Sequence, residues 1–114
     1  MDQLRARDVK FWSAWLGGDL VGCGALKLLD ARRGEIKSMR VADRYLGRGY
    51  GRAILDHLIR EAKGLGLQSL WLETGSTPPF TPALRLYESA GFVRCGPFDD
   101  YVEDAFSIFM TREI

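Results

Sequence analysis

Metal-binding side chains are scarce in this chain: one histidine and two cysteines in 114 residues. A zinc site usually takes four nitrogen or sulfur ligands, and Cys23 and Cys95 stand far apart at no metal-binding spacing. No metal is expected. The two cysteines read as reduced, apolar residues packed in strands rather than as a disulfide. Charge of one sign is also lacking. Sixteen basic residues oppose fifteen acidic ones, for a net charge of +1, and the basic ones are scattered. That removes the electrostatic footprint of a nucleic-acid partner or an anionic membrane surface. No apolar run approaches the ~20 residues of a membrane span. The opening MDQLRARDVK has no apolar signal segment, so the reading is a cytoplasmic protein. With no repeats, low-complexity segments or linker, residues 1–114 read as a single domain.

Glycine, in contrast, is plentiful and concentrated. The stretch Glu35–Gly66, EIKSMRVADRYLGRGYGRAILDHLIREAKGLG, opens as an alternating strand over Ile36–Val41. A polar turn leads into Leu46-Gly47-Arg48-Gly49-Tyr50-Gly51, and an amphipathic helix follows. Its apolar face is Ile54, Leu55, Leu58, Ile59, Ala62 and Leu65, with Arg52, Asp56, Arg60 and Lys63 opposite. Gly64 and Gly66 are stop signals. His57 falls on the polar side beside Glu61 and reads as a solvated histidine. Glycines at alternate positions let an anion approach the backbone N–H groups. The first helical turn adds unpaired donors and the positive end of the helix dipole. Together these make a phosphate cradle.

Around this stretch the chain reads simply. Residues 1–9 are a weakly patterned lead-in. Phe11–Leu16 and Leu20–Leu29 flank Gly17-Gly18-Asp19 as a hairpin. Gly22 and Gly24 inside the second run predict a bulge or the close approach of another backbone. Asp30–Gly34 is a turn before the strand Glu35–Val41. Ser69–Thr74 is a strand, making a βαβ unit with a parallel pair. After the Pro-rich loop Gly75–Pro82, Ala83–Ala90 is a helix with Thr81 as N-cap and Pro82 at N1, ended by Gly91. Phe92–Phe98 and Ala105–Met110 close the chain as strands around the acidic loop Asp99–Asp104. The order is β-β-β-α-β-α-β-β. This is an α/β chain, with a mixed sheet and helices.

Which phosphate ligand does the cradle suit? The dinucleotide fingerprint G-x-G-x-x-G needs Gly or Ala at 52 or 54, where Arg52 and Ile54 stand. A five-residue turn also separates strand from glycines, where that fold turns at once. No Gly-Lys-Ser/Thr follows, so the Walker pattern fails too.

The run MRVADRYLGRGYGRAILDHLIREAKGLG resembles the acetyl-CoA-binding motif of the GNAT superfamily of N-acetyltransferases, which reads Gln/Arg-x-x-Gly-x-Gly/Ala. PALRLYESAGF, residues 82–92, resembles that family's second motif, a Tyr-bearing helix ending in Gly-Phe. GEIKSMRV, LETG and CGPFDDYVED further resemble a bacterial branch that acts on small molecules. The resemblance covers about residues 11–114. It departs at Leu46, where the motif has Gln or Arg, and at Phe80, where the second motif often has Asn. The family also opens with a strand and two helices that wall the acceptor site. Here the strand pair begins at Phe11, implying a trimmed fragment or a wall completed by a partner subunit, such as a homodimer.

The resemblance implies direct attack of an amine on the acetyl thioester. Its cosubstrate is acetyl-CoA and its acceptor a small-molecule amine. The main chain of Leu46, Gly47, Arg48, Gly49, Tyr50, Gly51 and Arg52 would hold the pyrophosphate, with the Arg48 and Arg52 side chains adding charge. Met39, Arg40 and Val41 would present backbone groups to the pantetheine arm and polarise the thioester carbonyl. Thr81 would supply the polar group that Phe80 does not offer. Tyr87 would protonate the departing sulfur. A phenol near pKa ~10 gives its proton uphill to a thiol near ~8.5, so positioning the sulfur matters beside the transfer.

An alkyl amine is mostly protonated at neutral pH, so a base is required. Glu35 and Glu73 are the candidates, expected at opposite edges of the sheet, with Glu35 preferred. Salt-bridging to Lys37 or an arginine is the alternative for each. Asp99, Asp100, Glu103 and Asp104 with Tyr101 could attract a cationic amine, or form a solvated turn. Trp12, Trp15 and Trp71 read as core or edge packing. A different class of function stays open: a non-catalytic acyl-CoA-binding module whose acceptor site is incomplete.

Overall fold

A computed structural model describes residues 9–114. All of the predicted lead-in but Val9 lies outside them. The elements follow the expected order: β1 Val9–Leu16, β2 Asp19–Leu28, β3 Arg33–Val41, α1 Tyr50–Gly64, β4 Ser69–Gly75, α2 Thr81–Ser89, β5 Val93–Cys95 and β6 Ser107–Glu113. The strands form one sheet in the order β1-β2-β3-β4-β6-β5. Only β3 and β4 run parallel, because α1 carries the chain back between them. The Gly-Gly turn between β1 and β2 has Gly17 at φ 61°, a conformation glycine adopts without steric cost.

Both helices pack on one face of the sheet. α1 buries Ile54, Leu55, Leu58, Ile59 and Ala62 against Leu26, Ile36, Leu70, Leu72 and Met110, and α2 adds Tyr87 to the same cluster. The glycines of β2 allow α1 this close. A Cβ on Gly24 would come 2.9 Å from the Leu58 side chain, and one on Gly22 would strike the Arg40 carbonyl and come 2.7 Å from Ile54. Close approach thus accounts for both glycines, and a bulge on β2 also lies beside Gly22, where the ladder slips between Ala14↔Gly22 and Trp15↔Leu20. Alternation puts Glu35, Trp71, Glu73 and Phe109 on the other face. There the segment between β5 and β6 folds back and stacks Phe98 and Tyr101 on Phe109, with Phe98 also against Trp71. Lys27 pairs with Asp99 at 3.5 Å and ties that segment to β2.

Three expectations change. The strand predicted over Phe92–Phe98 shrinks to β5, because Gly96-Pro97 leaves the ladder and Pro has no N–H to give it. The last strand is β6, Ser107–Glu113, displaced toward the C-terminus from Ala105–Met110. Thr81 is not an N-cap: a 3-10 turn, Pro78–Phe80, runs straight into α2, and the capping position falls on Phe80.

Two irregularities of β3 shape the molecule. Between the pairs Cys23↔Arg40 and Ala25↔Lys37 the ladder slips by one residue, with Ser38 at φ 54°. The bulge is therefore on β3, opposite Gly24. β3 also pairs with β4 only at Arg33↔Ser69, Gly34↔Leu70 and Glu35↔Trp71. Beyond Glu35 both strands continue without each other, and a wedge opens between them.

Candidate active site

The glycine cradle stands at one mouth of this wedge. Gly47 and Gly49 sit at φ 74° and 86°, which a residue with Cβ adopts only at a cost of about 1–2 kcal/mol. A Cβ on either would meet nothing within 4 Å. The space over the first turn of α1 is open, and Gly49 is that helix's N-cap. Tyr45, buried ahead of the cradle, anchors the segment through its hydroxyl, which donates to Asp19 at 2.7 Å. Gly51 lets α2 pack tightly: a Cβ there would lie 3.3 Å from Leu86.

Two cavities meet in the wedge. One, of about 510 Å³, is lined by Leu46, Gly47, Gly49, Tyr50 and Gly51 from the cradle, by Met39–Val41 of β3 and by Pro82 and Leu86 of α2. The other, of about 340 Å³, holds Glu35, Glu73 and Tyr101. Met39, Arg40, Ala83 and Tyr87 line both. Three sequence-selected groups, Tyr87, Glu35 and Glu73, therefore share the second cavity. Neither cavity is lined by Thr81, Arg48 or Arg52. Arg48 lies over the Tyr45 ring at 5.8 Å. Arg52 is held by Asp56 at 3.0 Å and by Ser89 at 3.3 Å.

Glu35 and Glu73 were expected at opposite edges. Register brings them close instead, since β4 starts level with Arg33 and Glu73 stands two residues past the partner of Glu35. That is ~7 Å of strand rise. Glu35 is only 2% exposed. Its Oε2 accepts from the Tyr101 hydroxyl at 2.6 Å and lies 3.8 Å from Lys37 Nζ, while Oε1 is buried with no hydrogen-bond partner. The Lys37 ion pair thus exists beside any catalytic role. Glu73 accepts from the Ser107 hydroxyl.

Tyr87 is buried, its hydroxyl 3.9 Å from Met39 Sδ. Burial pushes its phenol above the usual value of 10, so at neutral pH it is a donor. Burial first, and then the Glu35 carboxylate, push Tyr101 up as well. Tyr101 is the residue that sequence reasoning undervalued. It stood there as part of an acidic loop; the only signal was an aromatic residue among carboxylates.

His57 is half-buried rather than fully solvated, edge-on to Trp12 at 5.3 Å, with Nε2 at 4.0 Å from Glu61. Trp71 packs on Phe98, while Trp15 is exposed on the edge strand. Cys23 and Cys95 are free thiols in strands, as expected. Among the described residues, no group of three or more His, Cys, Asp or Glu side chains is placed to hold a metal ion. No described helix is long and apolar enough to cross a membrane.

Residues 1–92 match the family described as the acetyltransferase (GNAT) family. The chain belongs to it. Among relatives of this GNAT chain, the N-acetyltransferase YsnE of Bacillus subtilis, itself uncharacterised, is 52% identical over 114 residues, covering 100% of this chain and 76% of that one. YedL of Escherichia coli, also an uncharacterised N-acetyltransferase, is 47% identical, covering 97% and 70%. A solved structure from Klebsiella pneumoniae, described as a candidate acyl-CoA N-acyltransferase, superposes with a TM-score of 0.89 at 29% identity over 97% of this chain and 76% of that one. The mixed sheet and two helices are thus the GNAT fold, and the chain is an N-acetyltransferase that draws on acetyl-CoA.

Proposed function

We propose that this acetyltransferase moves the acetyl group of acetyl-CoA to the amine of a small molecule by direct attack. The observation that carries the reading is the joined pair of cavities, glycine cradle at one end and carboxylates at the other, with Tyr87 at the junction. The coenzyme would enter at the cradle. Its pyrophosphate would take the main-chain N–H groups of 46–52, whose open space and dipole suit an anion. The pantetheine arm would run along β3 beyond Glu35, where no neighbouring strand occupies the inner edge, and its amides would bond as an added strand does. That brings the thioester to Met39–Val41 and to the Tyr87 hydroxyl.

The acceptor nitrogen, its proton passed to Glu35 directly or through water, attacks the carbonyl carbon. The N–C bond forms, the C–S bond breaks, and the sulfur leaves as thiolate to take a proton. Glu35 is the better base because it is desolvated, oriented by Tyr101 and left with one free oxygen. Glu73 carries an accepted hydroxyl and stands nearer the solvent. Since burial raises the Tyr87 phenol further above the thiol, its part is chiefly to donate a hydrogen bond that positions the sulfur.

Thiol release from acetyl-CoA across a panel of primary amines, with the N-acetyl product identified by mass, tests the reading. Amine-dependent release is the expected result. A protein that binds coenzyme A and releases no thiol with any amine is instead the non-catalytic module.

A further inference from the structure

We propose that the acceptor is a zwitterion, an amino acid or a close analogue, and that Arg40 takes its carboxylate. The inference rests on the acetyl-transfer reading and names the substrate class of the same site.

It begins with the bulge. Regular alternation would carry Glu35 and Lys37 to the second face of the sheet and return Arg40 to the helix face. The extra residue at Ser38 reverses this. Met39 then turns toward Tyr87 and Val41 toward the helical core, and Arg40 shares the face of Lys37 and Glu35. Its pairing with Cys23, two along from the pairing of Ala25 with Lys37, confirms the assignment. The bulge sets a non-glycine residue at φ 54°, a conformation that costs energy and is concentrated at functional sites.

The second cavity then carries four charged side chains, Glu35, Lys37, Arg40 and Glu73. Three are engaged. Lys37 faces Glu35 at 3.8 Å and the Tyr101 hydroxyl at 3.5 Å, and Glu73 holds Ser107. Arg40 makes no side-chain hydrogen bond or ion pair among the described residues. At the other end, Glu35 Oε1 is buried without a donor. A solvent-exposed cation with no partner among the described residues and a buried carboxylate oxygen with no donor thus line a single cavity. An ammonium on Glu35 Oε1 and a carboxylate on the Arg40 guanidinium satisfy both, the latter through two parallel N–H···O bonds. A simple alkyl amine would satisfy only the first.

Arg40 also lines the coenzyme cavity, so the test must separate the two uses. The twenty standard amino acids are assayed for thiol release beside their carboxamides, which keep the amine and side chain but lose the negative charge. Wild type is expected to favour an amino acid over its carboxamide by about tenfold or more in kcat/KM, the scale of a charge-assisted hydrogen bond. Arg40→Gln is expected to collapse that ratio toward one through the KM of the amino acid, and Arg40→Lys to restore part of it. Carboxamides or plain amines used as well as amino acids by wild type would overturn the inference and leave acetyl transfer standing. So would an Arg40→Gln variant that slows both acceptors alike, since a coenzyme contact does that. No thiol release with any acceptor would overturn both.

Discussion

At the scale of single residues, the site turns on how Glu35 is held. Tyr101 donates its hydroxyl to Glu35 Oε2 at 2.6 Å, and burial and the carboxylate push its phenol up, so that donor stays protonated at neutral pH. Tyr101→Phe removes the donor that orients Glu35 and is therefore expected to lower kcat/KM for the acceptor while the KM for acetyl-CoA stays nearly constant. Glu35→Gln should abolish the acidic limb of the kcat/KM pH profile and Glu73→Gln should keep it. A limb that survives in Glu35→Gln and disappears in Glu73→Gln would reverse the assignment. Tyr87→Phe is expected to lower kcat about tenfold, short of the ~10²–10⁴-fold that a full proton donor supplies, while the KM for acetyl-CoA stays nearly constant. Steady-state kinetics reads both. An unchanged kcat would remove Tyr87 from the chemistry.

At the scale of elements, the cradle was legible because its signal is local: alternate glycines between a strand and an amphipathic helix. Gly49→Ala separates its two demands. The Cβ meets no neighbour, so the cost is backbone conformation alone, about 1–2 kcal/mol by thermal or chemical melting. Coenzyme A titrated calorimetrically should bind about tenfold more weakly. Gly22→Ala should behave otherwise, losing more stability through its clash with the Arg40 carbonyl and Ile54. Equal effects of the two variants on stability and binding would contradict this division. The bulge on β3 was not legible at its own position. Sequence pointed to Gly22 and Gly24: the ladder with β1 does slip beside Gly22, between Ala14↔Gly22 and Trp15↔Leu20, while the slip against β3 falls opposite Gly24 at Ser38, because a bulge is a property of a pair of strands. The closeness of Glu35 and Glu73 was hidden for the same reason, since it depends on where β4 begins against β3.

At the scale of the whole molecule, the order of elements followed from periodicity and turns, while the second face of the sheet did not. Phe98 and Tyr101 reach that face through a segment with no regular pattern, folded on Phe109 and Trp71 by contacts distant in sequence. Tyr87 and Tyr101 lie on opposite faces, and both hold their protons above the pH at which an unfolded chain releases them. Their contribution to stability is complete below about pH 10 and declines as pH rises beyond it. Denaturation midpoints should accordingly fall above pH ~10 in wild type, and fall less when both are Phe. An identical decline in the double variant would contradict this.

The proposed acetyl transfer requires acetyl-CoA to lie in the wedge where β3 and β4 part. Amide chemical shifts recorded during a titration with acetyl-CoA test it most directly. The largest changes are expected at Met39–Val41 and at Leu46–Arg52, with β1 nearly still. Changes centred instead on Trp12 and His57, or none at saturating coenzyme, would contradict it.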